Sequence, residues 1–360
     1  VSDRTPRAGL RVAEALFRAG TWMFHHPYDR GWRRQEILPQ PVLSVGNLAA
    51  GGTGKTPAVR ALAGAFLERG RLPAVLTRGY RARRPYGVLR DGAWEDGGTA
   101  SAADAGDEPL WLSRRLPGVP VVVGRRRAEG AAALLAAGVP VDVWILDDGF
   151  QHRRLHRDLD LVLLDVADPL GNGWLLPAGP LREPPEALSR AGVVLLTGGT
   201  ASDPVPAETR RLVETRAPGA RCLRAWTEAG GVARLGPGEG DGGLPALSGR
   251  AVWAVAGIAR PERFTALLAA SGALVQGTSF YPDHHPFTAE EVRRAAEDAA
   301  RAGAVPVTTE KDAVRLLDLP SPPEDWWVVG ACTAVEGGWD AFAEAAWTET
   351  AEGGRVRPGI

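Results

Sequence analysis

A chain of 360 residues with 44% hydrophobic content is long enough for two ordinary domains, or one large one with additions, and can bury a core without disulfides. Its 42 basic residues nearly balance 43 acidic ones, which excludes a general nucleic-acid binder, and no uncharged apolar run approaches the ~20 residues of a membrane span. No secretory signal is visible, and Cys222 and Cys332 lack metal-ligand spacing, so both are expected to be buried or incidental thiols in a reducing compartment.

Residues 1–35 predict an amphipathic helix. Leu10, Leu16, Phe17, Met23 and Phe24 share a helical stretch with Arg4, Arg7, Arg11 and Arg18, and Trp22 and Trp32 lie nearby. Apolar, aromatic and basic residues together suit a membrane interface. The alternative is that the apolar side packs on the domain behind it.

An apolar β-like run at 41–45 then leads into "GNLAAGGTGKTP", and an Ala-rich helical run follows at 57–69. Strand, loop and helix in that order are the setting of a phosphate-binding loop. Backbone N–H groups from Ala49, Ala50, Gly51, Gly52, Thr53 and Gly54 turn toward an anion, and a helix beginning near Lys55 adds its positive end. Lys55 reaches the β- and γ-phosphates, and the Thr56 hydroxyl ligates Mg²⁺. The general pattern has glycine where this chain has Ala49.

Further β-like runs at 74–77, 120–123, 143–146, 161–164 and 193–196 alternate with helical runs at 109–115 and 126–137. This predicts an α/β fold over 36–200, a P-loop NTPase-type, mostly parallel sheet with helices on both faces. Ligands in such sheets gather beyond the carboxyl ends of the strands, where "TRGY" and "DDGFQH" lie. Asp147 and Asp148 end their strand where a P-loop enzyme keeps the acids of its Mg²⁺ site, although aspartates also form ordinary turns before glycine. Asp107 and Glu108 precede Pro109 at a helix start, as capping alone prefers; otherwise one carboxylate accepts a proton or helps hold metal. In the irregular loop 171–184, Asn172, Arg182 and Glu183 are framed by Gly and Pro. Arg182 either grips a phosphate by a two-pronged contact or forms a surface pair with Glu183.

Residues 201–249 are rich in Gly, Pro and Ala and are expected to connect two domains. A second alternation over 250–360 predicts a smaller C-terminal α/β domain without a phosphate loop. It has a strand at 251–256, a helix at 261–270, a strand at 274–280, a Thr288–Glu291 capping box before a helix to Arg301, and strands at 305–308 and 326–329. Its "SFYPDHHPFT" supplies Asp283, His284 and His285, suited to acid–base work or to a turn closed by an Asp–His hydrogen bond. Metal is not expected there, for want of suitably spaced Cys or His. In "VTTEKDAVRL", Lys311 falls one place late for a guanine-reading motif, so GTP is not inferred.

Eight segments, in order from Ser44 to Arg315, resemble the tetraacyldisaccharide 4′-kinase family, the lipid A 4′-kinases of Gram-negative bacteria. They are "SVGNLAAGGTGKTP", "LTRGY", "GDEP", "LDDGFQH", "GNGWLLPAGPLREP", "GIARPERF", "DHHPFT" and "TTEKDAVR". The family's loop has no glycine at the place of Ala49; Phe150 stands where Leu is commoner. The resemblance implies transfer of ATP's γ-phosphate to the 4′-hydroxyl of a tetraacyldisaccharide 1-phosphate, giving lipid IVA. It also implies peripheral attachment to the cytoplasmic face of the inner membrane, through the N-terminal helix. Carried onto this chain, Gly51 to Thr56 bind ATP, and Asp147 and Asp148 are the magnesium-side acids. Asp107 and His284 activate the acceptor hydroxyl, with Glu108, Arg182 and Glu183 around it, while Lys55 stabilises charge on the phosphoryl oxygens. Two other classes stay open: a P-loop ATPase switch for partitioning or cargo delivery, and a membrane-binding module with a structural nucleotide.

Overall fold

The computed structural model describes residues 6–235 and 247–352; residues 1–5 with Arg4, 236–246 of the expected connecting segment, and 353–360 lie outside the described residues. The chain enters as helix α1 (Ala8–Asp29) and then alternates: β1 (Val42–Asn47), α2 (Lys55–Glu68), β2 (Pro73–Thr77), a β3–β4 hairpin (Tyr86–Arg90 and Ala93–Trp94), α3 (Ala102–Ala105) and α4 (Asp107–Arg115). Next come β5 (Val121–Gly124), α5 (Arg127–Ala136), β6 (Val143–Asp147), β7 (Leu159–Asp165), β8 (Val193–Thr197), α6 (Ala207–Arg216) and β9 (Arg221–Arg234). The remainder is β10 (Ala251–Ala256), α7 (Pro261–Ala270), β11 (Leu274–Phe280), α8 (Ala289–Arg301), β12 (Val305–Thr309), α9 (Glu310–Leu317), β13 (Trp327–Val335) and α10 (Trp339–Trp347).

The described strands form one sheet in the order β11-β10-β12-β13-β9-β8-β7-β1-β6-β2-β5-β3-β4. Its pairings are parallel except β3 with β4 and β5, and β9 with β13. β1 lies between β6 and β7, and all three are buried along their whole length. Covered on both faces, they need near-continuous Val, Ile and Leu, as the sequence has. Successive residues serve opposite sides: Leu161 and Leu163 pack with α2, and Val162 and Leu164 with α6.

The stretch read as connecting is more regular than its composition suggests, since it holds α6 and the 14-residue β9. β9 pairs with β8 on one side and β13 on the other, and so carries the sheet from one set of strands to the next. A register shift against β13 at Gly330/Ala331, opposite Gly231, breaks the alternation that would have marked it as a strand. Of the two thiols expected to be buried or incidental, Cys222 is exposed and Cys332 half-buried, which sets aside the buried alternative for Cys222. Late in the chain, α10 returns to the core around α2, where Phe342, Ala343 and Ala346 join a cluster with Val59, Leu62 and Phe66.

Candidate active site

The phosphate loop runs from the end of β1 to the start of α2. Gly54 caps α2 at φ +86°, a left-handed conformation that costs glycine nothing. At the other end, a β-carbon on Gly46 would stand 2.5 Å from that of Phe150, so only glycine lets β1 meet the loop after β6 this closely. Ala49 needs no such freedom, because it pairs in an extended antiparallel bridge with Leu181. The Ala50 N–H donates to the Pro180 carbonyl at 2.7 Å, and the Arg182 N–H to the Leu48 carbonyl at 2.7 Å. Loop 171–184 therefore braces the phosphate loop from behind. Inside, the Asn47 side-chain amide donates to the Thr53 hydroxyl at 2.9 Å.

β6 delivers Asp147 and Asp148 beside this loop. Lys55 Nζ lies 3.5 Å from Asp148, which also receives the Arg182 guanidinium at 2.8 Å on both oxygens. Burial alone would raise the Asp148 pKa, but these two cations hold it below the ordinary carboxylate range. Asp147 is the opposite case. Burial, then Glu108 and Asp148, push it up to about 7. Its Oδ2 accepts from Thr77 at 3.2 Å, while its buried Oδ1 has no hydrogen-bond partner. A buried acid with an orphaned oxygen, next to the half-exposed Asp148 and near the start of α2 with its Thr56, fits a divalent cation that takes its other ligands from phosphate and water.

Asp107 and His284 are 177 positions apart in sequence, yet His284 Nδ1 lies 2.8 Å from Asp107 Oδ2. Each is placed by strained or specialised backbone. Gly106 at φ +87° starts α4, so Asp107 is the first residue inside the helix instead of its cap, and its Oδ1 accepts the Glu108 N–H at 3.0 Å. His284 itself sits at φ +59° in the turn after β11. Burial raises the Asp107 pKa, but the His284 hydrogen bond and the charges of Lys311 and Arg315 bring it down to about 2. Lys311, from the first turn of α9, stands 3.1 Å from Glu108, 3.5 Å from Asp283 and 3.4 Å from His284 Nε2. With Nδ1–H given to Asp107, Nε2 is the acceptor of the Lys311 ammonium.

Sequence reasoning passed over Lys311 and Arg315. They lie in the segment set aside as a failed guanine motif, and nothing in the charge-balanced "EKDAVR" marks its two cations as site residues. Arg182 and Glu183, adjacent in sequence, part company in space. Arg182 joins Asp148 and Lys55. Glu183 is 1% exposed, accepts from Gln151 and Arg190 at 2.9–3.0 Å, and lies 3.5 Å from His25 of α1, so its partners are on the helix side instead of the Asp107–His284 side. Gln151 also donates to the Asn47 carbonyl at 3.0 Å, which links Glu183 to the phosphate loop through one side chain.

A parallel sheet with a glycine-rich loop between its central strand and a helix, and with acids at the tip of the neighbouring strand, defines a P-loop nucleotide-binding protein. The sequence narrows that class. The model of the tetraacyldisaccharide-1-P 4′-kinase family matches residues 7–347, and the chain belongs to that family. The tetraacyldisaccharide 4′-kinase of Anaeromyxobacter dehalogenans (strain 2CP-C) is 48% identical over 311 residues, covering 86% of this chain and 81% of that protein. Its namesake in Syntrophus aciditrophicus is 43% identical over 330 residues, 88% and 86% of the two chains. The crystal structure of LpxK from Aquifex aeolicus in complex with ATP is similar with a TM-score of 0.73 at 29% identity, covering 95% of this chain and 99% of that one.

Proposed function

We propose that this protein transfers the γ-phosphate of ATP to the 4′-hydroxyl of a tetraacyldisaccharide 1-phosphate, forming lipid IVA at the cytoplasmic face of the inner membrane. The observation that carries the reading is the 2.8 Å contact between Asp107 and His284, an acid–base pair assembled from distant parts of the chain. A sugar hydroxyl is a weak nucleophile, and phosphoryl transfer rests on positioning and charge stabilisation. Asp107, with both oxygens engaged and its charge held by Lys311 and Arg315, orients the imidazole. His284 Nε2 takes the hydroxyl proton once Lys311 gives way to the acceptor. Lys55 and the loop N–H groups hold the β- and γ-phosphates, and Arg182 keeps Asp148 in place beside Lys55. Bound at Thr56, Asp147 and Asp148, Mg²⁺ would supply charge neutralisation on the phosphates.

The domain division belongs to this reading: a core over 36–200 binds ATP, and a unit over 250–360 brings His284 and Lys311 to it. The N-terminal helix and the turn after it support membrane contact, since Leu16, Trp22 and Met23 of α1 and Trp32 just beyond it are all at least 60% exposed. No described helix is long and apolar enough to cross a membrane. Incubation with γ-labelled ATP and extracted lipid A precursor tests the whole. Label in the lipid is expected. Label released only as inorganic phosphate would favour the ATPase switch, and no turnover with retained nucleotide the structural-nucleotide module.

A further inference from the structure

β7 pairs with β1 so that Leu163 is level with Asn47, and Asp165 therefore lies two residues further on, at the rim beside the phosphate loop. Its carboxylate is 5% exposed and heavily used. Oδ1 accepts the N–H groups of Ala167 and Asp168 at 3.0 and 3.3 Å. Oδ2 takes two guanidiniums at once, from Arg260 and Arg263 of the segment that opens α7. One carboxylate neutralises one of these cations. The second is surplus charge, on side chains that are 37% and 40% exposed, at the edge of a site built for a polyanion.

The same segment touches the phosphate loop directly. The Ala259 β-carbon stands 3.4 Å from where a β-carbon of Gly52 would be. Gly52 lies in the middle of the loop whose N–H groups face the β- and γ-phosphates. Arg260 is the next residue, so its backbone is held against the loop at that level. Arg263, one helical turn on, is the one left to hold Asp165.

We propose that Arg260, which reaches Asp165 from beside the phosphate loop, is a γ-phosphate ligand that turns to the terminal phosphate of bound ATP. It would act as an arginine supplied in cis, stabilising charge on the transferred group. The inference rests on the phosphate-loop reading above and deepens it. A plain Arg–Asp clamp between two parts of the chain is the competing account.

The two differ in whether the nucleotide's third phosphate matters. Calorimetric titration of the full-length protein with ATP and with ADP, each with Mg²⁺ and without lipid, separates them. Arg260→Ala is expected to weaken ATP roughly ten- to a hundredfold, the loss of a charge-assisted, two-pronged contact, and ADP by less than about twofold. Arg263→Ala is expected to show no such selectivity. Equal losses for ATP and ADP, or no loss, overturn the proposal in favour of the clamp. Should Arg260→Ala not fold, Arg260→Lys keeps the charge without the fork; an ATP-selective loss of several-fold supports the proposal and its absence overturns it. Wild-type protein that binds ATP but phosphorylates no lipid would sink the lipid-kinase reading alone, and one that binds no ATP would sink both.

Discussion

Replacing Leu16, Phe17, Met23 and Phe24 of α1 by glutamine tests how the protein meets its lipid. These side chains are 71%, 36%, 68% and 44% exposed, an apolar area equal to roughly two whole side chains facing water. Complete burial of that much is worth roughly 3–6 kcal/mol, and insertion at headgroup depth covers about half of it or more. Binding to vesicles containing an anionic phospholipid should therefore weaken by about 2–4 kcal/mol, on the order of 30- to 1000-fold. Arg7 and Arg11 add roughly 1 kcal/mol each at low salt, Arg18 being paired with Glu14, and that part should fade as salt rises in both proteins. Glutamine is a good helix former, and α1 docks through other residues: His25 on Glu183, and Tyr28 under Arg153, which also pairs with Asp29. Thermal stability and ATP affinity should hardly change, while the KM for lipid rises. Vesicle co-sedimentation, thermal melts and steady-state kinetics read the three quantities. A stable variant that still binds vesicles like wild type refutes the membrane role, and a joint collapse of stability and ATP binding means the four residues are core.

Lys55→Ala and Thr56→Ala should abolish phosphate transfer in a folded protein; a folded Lys55→Ala enzyme working at wild-type rate would remove the nucleotide site from this loop. Asp107→Ala and His284→Ala should each cost about 10²–10⁴-fold in kcat with ATP affinity nearly unchanged, and the double variant should be little worse than the poorer single one. Because the Asp107 pKa falls from its ordinary value to about 2 on folding, its charge contributes about 2 kcal/mol of stability above pH 4, lost as pH drops toward 2. Acid titration of Asp107→Asn should lack that component, and a wild-type-like acid profile contradicts it. Asp147 has the reverse sign: raised by burial, it withdraws stability as pH climbs through its folded pKa. Metal-free Asp147→Asn should then melt higher than wild type at pH 8, with the gap narrowing at pH 5; a lower melt at pH 8 would argue against an uncompensated buried acid.

The central strands and α2 were legible because nothing competes with their pattern: fully buried runs of Val, Ile and Leu, broken by glycines. Ends shifted by only a few residues, and 251–256, 261–270 and 274–280 match their elements residue for residue. β9 was illegible because it is half-exposed, bulged and glycine-bearing, and α10 because its nine residues give an Ala-rich pattern little room to repeat. The phosphate loop could be read from local order alone. The Asp107–His284 contact could not, since no periodicity links residues 177 apart; only resemblance suggested it. Glu183 shows the converse limit. Its neighbour Arg182 faces Asp148, and nothing in "LREP" says that the next side chain turns to Arg190 and His25.

The return of α10 onto α2 has a consequence for how the molecule comes into being on the ribosome. Residues 55–68 emerge early, but the face bearing Val59, Leu62 and Phe66 is closed in part by Phe342 and Ala346, with Trp347 lying edge-on at 6.5 Å from Phe66. Arg69, just past α2, likewise waits for Asp340 and Glu344. At ~5–20 residues per second, some 270 further residues take on the order of 15–50 s to follow, longer than most single domains need to fold. Through that interval the helix that orients the phosphate loop carries a bare apolar face, a natural place for a chaperone to bind. A message truncated before Trp339 would leave it bare for good.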